Sequence, residues 1–429
     1  MNMNLIERDS RYVWHPYTQM QTTPAPIGIV RGEGAYLYAG DGRKYFDAVA
    51  SWWVNLHGHS HSYIAEKVSE QLRTLEHAMF AGFTHPPAVD LAERLLEVLP
   101  SDQAKVFYSD DGSTAVEVAV KMAMQYWSNK GTPRNRLIAL KDAYHGDTFG
   151  AMSVSSRSTF TAPFSPLLFE VDFIDVPVKG SEEEALEQLR RIMLEREDEI
   201  AAFIFEPLVQ GTAGMVMYEP GPLDQLLKIC REHGILTIAD EVMTGFGRTG
   251  KLFACNYLEQ QPDIFCFSKG ITGGTMAFGA TTCTQQVFDA FLSGDKLKTF
   301  FHGHSFTANP LACAASLASL DILVEPETME SIARISRQHE AFAGKIAGHR
   351  SVRQVRCRGT IFALEWETGD STSYFSGLRD KLYNFFLENG IIMRPLGNII
   401  YIMPPYCSTE EELDFVYQTI ELALEKFSA

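Results

Sequence analysis

From about residue 100 to 285, short β-rich apolar runs alternate with longer amphipathic stretches, and this alternation restricts the chain more than any other feature. Strands are predicted at 105–109, 136–140, 170–176, 201–205, 235–239, 264–267 and 280–283, with helical patterns between them at 114–127, 182–197 and 222–233. Such intervals leave room for crossover helices, so the predicted fold class is α/β, with a mostly parallel central sheet. The N-terminal stretch holds Pro16, Pro24, Pro26 and the glycines of GEG and GDG, and reads as extended segments and turns. Beyond about residue 325, a charged helix at 328–346 leads into β-like runs at 359–366 and 399–403 that flank another helix. The expected organisation is a large domain over 56–325 and a smaller α+β domain built from both termini, 1–55 and 326–429; 429 residues suffice for both.

Charge and cysteine content narrow the function. With 37 basic against 54 acidic residues the formal charge is −17, which argues against nucleic acid as a partner because that affinity rests on a basic footprint. The acidic 182–197 stretch interleaves Leu186, Leu189, Ile192 and Met193 with charge and reads as a solvated helix face. The 7 cysteines are scattered without a CxxC pair, so no metal site is expected and reduced thiols in a cytosol fit best. No apolar run of about 18 residues occurs and the first residues lack an apolar leader, so a cytoplasmic protein without a membrane span is expected.

Several predicted strands end in residues capable of chemistry. GILTIADEVMTGFGRTG puts Asp240 and Glu241 at a strand end, the side of an open α/β sheet where ligands bind; capping a turn is the ordinary alternative. DIFCFSKGITGG delivers Lys269 at the end of another buried run. Most lysines keep their heads in water, but a desolvated amine there has a lowered pKa and becomes the nucleophile of Schiff-base chemistry. In SDDGSTAVEV a strand runs through Gly112, Ser113 and Thr114 into a helix, which forms a phosphate seat or, alternatively, a helix cap at Ser113. Tyr144, His145 and Asp147 follow a further strand, with a core tyrosine as the plain alternative. Glu206 ends another, where a structural ion pair is the more frequent use. Gly245 to Gly250 spell G-x-G-x-x-G, but no crossover helix or downstream strand-end acid follows, so the loop is read as shaping the site and not as a dinucleotide motif.

Taken together, the strand-end aspartate and lysine, the glycine-serine turn and YHG resemble the class III, fold type I pyridoxal-phosphate aminotransferases, in family order over residues 12–406. ADEVMTGFGRTGKLFA followed by SKGITGG is the specific part of the resemblance. WHPYTQM, ASWWVNLHGHSH, MQYW, YHGDTFGAMSV and IMPPY are similar to the biotin-pathway branch of that class. The resemblance implies pyridoxal 5'-phosphate as cofactor and amination of 8-amino-7-oxononanoate to 7,8-diaminononanoate. It implies S-adenosyl-L-methionine as donor, with lysine the alternative, and a homodimer with active sites at the subunit interface. Position by position, Lys269 would carry the cofactor, Asp240 would face its ring nitrogen, and Gly112 and Ser113 would hold the phosphate with His304 and Ser305 of the other subunit. Tyr144 would stack on the ring and contact substrate; Tyr17, Trp52 and Gly303 would line the channel; Arg394 would pair with the remote carboxylate.

One segment departs from the family's HGPTF by reading HGHSF, with His304 for proline and Ser305 for threonine, close to where the donor docks. Competing readings are a class III transferase of an ω-amino acid or ornithine, an aminomutase on the same scaffold, a nicotinamide dehydrogenase, and a non-catalytic scaffold. The Trp52–Trp53 pair and WHPY favour the biotin-pathway branch over the first.

Overall fold

The central sheet has seven strands in the order Gln103–Ser109, Gly279–Thr284, Ile264–Phe267, Leu236–Asp240, Ile200–Phe205, Arg136–Leu140 and Val171–Ile174. The structure is a computed structural model and describes residues 4–368 and 376–427. Neighbouring strands from Ile264–Phe267 outward to Val171–Ile174 run parallel, while Gly279–Thr284 is antiparallel to both of its neighbours. All seven predicted strands are present, with one consequential boundary shift: the strand predicted to stop before Asp240 includes it.

Side-chain alternation explains why these strands read as unbroken apolar runs. Phe203, Phe205, Phe265 and Phe267 enter one buried cluster, while Ile204, Ile264, Cys266 and Ile238 enter the other with helix Gly112–Asn129. Both faces are covered, so neither can be polar. Helices Glu182–Arg196 and Pro220–Glu232 match the predicted ones within a turn at each end.

The predicted N-terminal extended segments contain, in addition, helix Leu5–Tyr12, capped by Asn4 and Glu7 acting reciprocally. Strands Ile29–Glu33, Tyr36–Ala39 and Lys44–Asp47 follow, and Ile391–Ile392 joins them in parallel, pairing Ile392 with Asp47. Val352–Arg358, Ile361–Trp366 and Ile399–Ile402 form a separate three-stranded sheet. Among the described residues all seven cysteines are free thiols, no helix is long and apolar enough to cross a membrane, and no group of three or more metal-ligating side chains occurs.

Candidate active site

Because the strands are parallel, their C-terminal ends share one edge. Asp240 lies opposite Cys266 and Ala239 lies opposite Phe205, so Asp240, Lys269 and Glu206 leave adjacent strands side by side. Tyr144 and His145 follow the next strand across. These residues, with Gly112, Ser113 and Trp53, line one cavity of about 260 Å³.

Asp240 is buried and held from two sides. Its Oδ2 lies 2.7 Å from Nδ1 of buried His145, and its Oδ1 accepts the Val242 backbone N–H at 3.0 Å. His145 Nε2 has no partner among the described residues. Glu206, proposed from sequence as an ion-pair member, makes no ion pair among the described residues. Its carboxyl instead accepts the N–H groups of Tyr144 at 2.8 Å and Gly211 at 3.0 Å, tying two loops together across the cavity. Burial pushes this carboxyl up to about 7, against the attraction of His145.

Lys269 occupies the left-handed region with φ 47, a conformation uncommon for a side-chain-bearing residue and frequent at functional sites. Its Nζ lies 4.7 Å from the centroid of the Trp53 ring. Loss of water around the amine lowers its pKa to about 8, although Asp240 and Glu206 both pull it upward. The alternative of a lysine head in open water is thereby set aside.

The helix starting at Gly112 is capped by Asp111, which accepts from Thr114 N–H at 2.8 Å, so Ser113 is not the cap. Ser113 Oγ instead accepts the Asp147 N–H at 3.3 Å. The N–H groups of Gly112 and Ser113 donate to nothing among the described residues, at the positive end of a helix of 18 residues. A Cβ on Gly112 would come 2.9 Å from Val242 Cγ1, so glycine keeps this end open. The seat suits an anion.

Tyr17, Trp52 and Arg394 are not among the residues that line this cavity; they form a cluster beside it that meets it at Tyr144. The Tyr17 hydroxyl lies 3.4 Å from that of Tyr144 and donates to the Asp147 carboxylate, and the Tyr17 ring sits 5.7 Å from Trp52. Burial pushes the Tyr144 phenol far up, so it stays protonated. The Arg394 guanidinium lies 4.4 Å above the Trp52 ring and pairs with no carboxylate among the described residues.

Gly303, His304 and Ser305 do not join this cavity. They occupy an exposed loop in which His304 Nε2 is 3.3 Å from His302 Nε2 and the Ser305 carbonyl is 2.8 Å from His77 Nε2. The G-x-G-x-x-G loop leads only into the short turn Ala254–Tyr257, and its Arg248 binds the carbonyls of Pro404 and Asn55 at 2.7 and 2.9 Å. That excludes the crossover geometry of a dinucleotide motif. Trp53 beneath Lys269 was given no site role by sequence reasoning, and His145 was named at its strand end without its partner Asp240. The WW doublet and the YHG triplet were the signals for them.

An amine, a carboxylate and an open helix start converge in one cavity, an arrangement suited to an anionic ligand that an amine can hold. The chain belongs to the class III aminotransferases, whose family model matches residues 17–424. It is 45% identical to the adenosylmethionine-8-amino-7-oxononanoate aminotransferase of Synechococcus elongatus, over 95% of this chain and 97% of that one. The crystal structure of the enzyme of that name from Methanocaldococcus jannaschii superposes with TM-score 0.93 at 37% identity, covering 99% of both chains. A PLP-bound amine transaminase from an uncultivated Pseudomonas species superposes with TM-score 0.91 at 32% identity, covering 97% of this chain and 98% of that one.

Proposed function

We propose that this chain is a pyridoxal 5'-phosphate-dependent transaminase that converts 8-amino-7-oxononanoate to 7,8-diaminononanoate in biotin synthesis, with S-adenosyl-L-methionine as amino donor. The observation that carries the chemistry is the meeting of Lys269 and Asp240 in one cavity at the strand ends. Near full-length similarity to enzymes bearing that substrate in their name carries the substrate.

The residues fit the cofactor. The unbonded N–H groups of Gly112 and Ser113 would hold its phosphate, Asp240 would face its ring nitrogen, Tyr144 would cover its ring, and Lys269 would anchor it. When bound, the cofactor supplies a carbonyl that condenses with amines and an electron sink for the carbon that loses its proton. The Asp240 carboxylate, oriented by His145 and Val242, would favour a proton on the ring nitrogen and so strengthen that sink. Lys269 would hold the cofactor and, when not bonded to it, move a proton at Nζ; desolvation lowers the pKa of the amine, which favours its base form. Trp53, 4.7 Å from Nζ, shields one side of the amine from water. Arg394 binds the far carboxylate of the keto acid through its two-pronged guanidinium, and Tyr17 and Trp52 wall the acyl chain.

We assign Gly303, His304 and Ser305 to the neighbouring subunit's cavity in a cytoplasmic homodimer; the exposure of Gly303 and Ser305 and their absence from the lining of their own cavity support this. The pairing of Ile391–Ile392 with Lys44–Asp47 supports a small domain drawn from 1–55 and 326–429 beside the large domain, 56–325.

The test is a half-reaction. Adenosylmethionine alone, added to the loaded protein, should bleach the visible band of the bound cofactor, and 8-amino-7-oxononanoate added next should restore it. Bleaching by lysine alone would transfer the donor role. Bleaching only by ω-amino acids or ornithine would overturn the substrate assignment.

A further inference from the structure

The segment that presents Trp52 and Trp53 holds three of the positive-φ residues other than glycine within four positions. Ala50, Ser51 and Trp53 have φ of 49, 62 and 67, a run of left-handed residues without a glycine. Each costs energy, and together they persist only where neighbouring groups over-determine them. One neighbour does so. The Asp47 carboxylate is fully buried, and its Oδ2 accepts the Ser51 backbone N–H at 2.7 Å and the Ser51 hydroxyl at 3.2 Å. The same oxygen lies 2.9 Å from Nε2 of His59, which anchors it from behind.

Asp47 is also tied to the strand that leads to Arg394. It pairs with Ile392 in the parallel ladder, and the next residue, Ala48, donates its N–H to the Ile392 carbonyl at 3.2 Å. One carboxylate therefore sets the turn that carries Trp52 and stands in register with the strand that leads to Arg394. The Trp52 ring and the guanidinium meet at 4.4 Å.

We infer that Asp47 is a positioning residue for the keto-acid pocket: by holding Ser51 in its left-handed conformation it keeps the Trp52 ring over Arg394, leaving the guanidinium aimed at a substrate carboxylate. The inference rests on the role given to Arg394 above. Without the carboxylate the turn relaxes, Trp52 leaves Arg394, and the carboxylate seat loses its wall. The phosphate seat and Asp240, built on other strands, are untouched, and Trp53, which shares the turn, keeps a separate anchor through its indole N–H, which donates to the Tyr401 hydroxyl at 3.0 Å.

The test uses the loaded, full-length enzyme and two readouts: KM against kcat for 8-amino-7-oxononanoate, and the calorimetric Kd of nonanoate as a carboxylate probe. Asp47→Ala should raise KM and weaken nonanoate binding by about tenfold, with kcat changed less than about threefold, in keeping with the cost of small misplacements. Asp47→Asn, which can keep an acceptor oxygen facing Ser51, should recover most of the loss. Ser51 is exposed, so Ser51→Val spares the core while placing a β-branched residue at φ 62, and it should reproduce the Asp47→Ala effect even if that variant does not fold. Arg394→Ala is the reference. If it weakens both readouts while folded Ser51→Val, or folded Asp47→Ala, leaves them within about twofold, the positioning role is overturned and Arg394's role stands. If Arg394→Ala changes neither, both fall.

Discussion

The cofactor end and the substrate end of the proposed site are built by different means. The cofactor end rests on the tips of adjacent parallel strands, and nearly every polar group there is fixed by backbone bonds or buried partners: Asp240 by His145 and Val242, Glu206 by Tyr144 and Gly211. The substrate end is assembled from residues 17, 52 and 394, on a left-handed turn and chain ends, and meets through ring contacts of 4.4 and 5.7 Å. The first arrangement is set by sheet topology and serves chemistry common to the class. The second depends on side-chain placement, and under the proposed function it is where selectivity for one keto acid would reside.

Substitutions at the cofactor end should therefore cost turnover, and those at the substrate end should cost affinity. Lys269→Ala should show the largest effect, lowering kcat by more than about 10⁴-fold in steady-state assays, because the nucleophile and the proton carrier are lost together. The same variant should keep its circular dichroism spectrum, and appreciable turnover by it would remove Lys269 from the mechanism. Asp240→Asn should lower kcat by roughly 10² to 10³, the scale of removing one preorganised electrostatic partner, with KM for the keto acid little changed. A KM effect as large as the kcat effect would dissolve the division between the two ends.

Arg394→Ala should do the opposite, raising KM for 8-amino-7-oxononanoate roughly 10- to 100-fold through loss of charge-assisted bonds of about 1.5–3 kcal/mol, with kcat largely retained. The smallest effect concerns protonation in the cofactor-free protein. Modification of Lys269 by an amine-directed reagent, followed by peptide mass spectrometry, should level off above about pH 8, well below the ordinary lysine value of 10.5. The sign for stability follows: between about 8 and 10.5 the unfolded chain binds more protons than the folded one, so this group's contribution to stability rises with pH across that window. Glu206→Gln should move the midpoint further down, since the Glu206 charge raises it.

The same contrast accounts for what the sequence disclosed. Asp240, Lys269 and Gly112 were legible because a buried parallel strand followed by a polar residue or a glycine has few uses other than a site at the sheet edge. His145 and Glu206 were seen at strand ends but not in their partnerships, because bonds to Asp240 and to backbone N–H groups depend on which strands lie side by side, and strand order is not written in local pattern. The helix Leu5–Tyr12 was hidden by the prolines that follow it, although Asn4 and Glu7 carry its capping pattern. Tyr17, Trp52 and Arg394 could be named only through resemblance to a family, since no periodicity joins residues so far apart. The left-handed turn at Ala50–Trp53 contains no glycine to announce it; its cause is Asp47, visible only once His59 and Ser51 are folded around that carboxylate.

The central claim is that Lys269 anchors the cofactor, and borohydride tests it most directly. The protein is loaded with pyridoxal 5'-phosphate, reduced, digested and mapped by mass spectrometry. A stoichiometric phosphopyridoxyl adduct confined to Lys269 is the predicted result; an adduct on a different lysine, or none on a protein that still transaminates, would contradict the account.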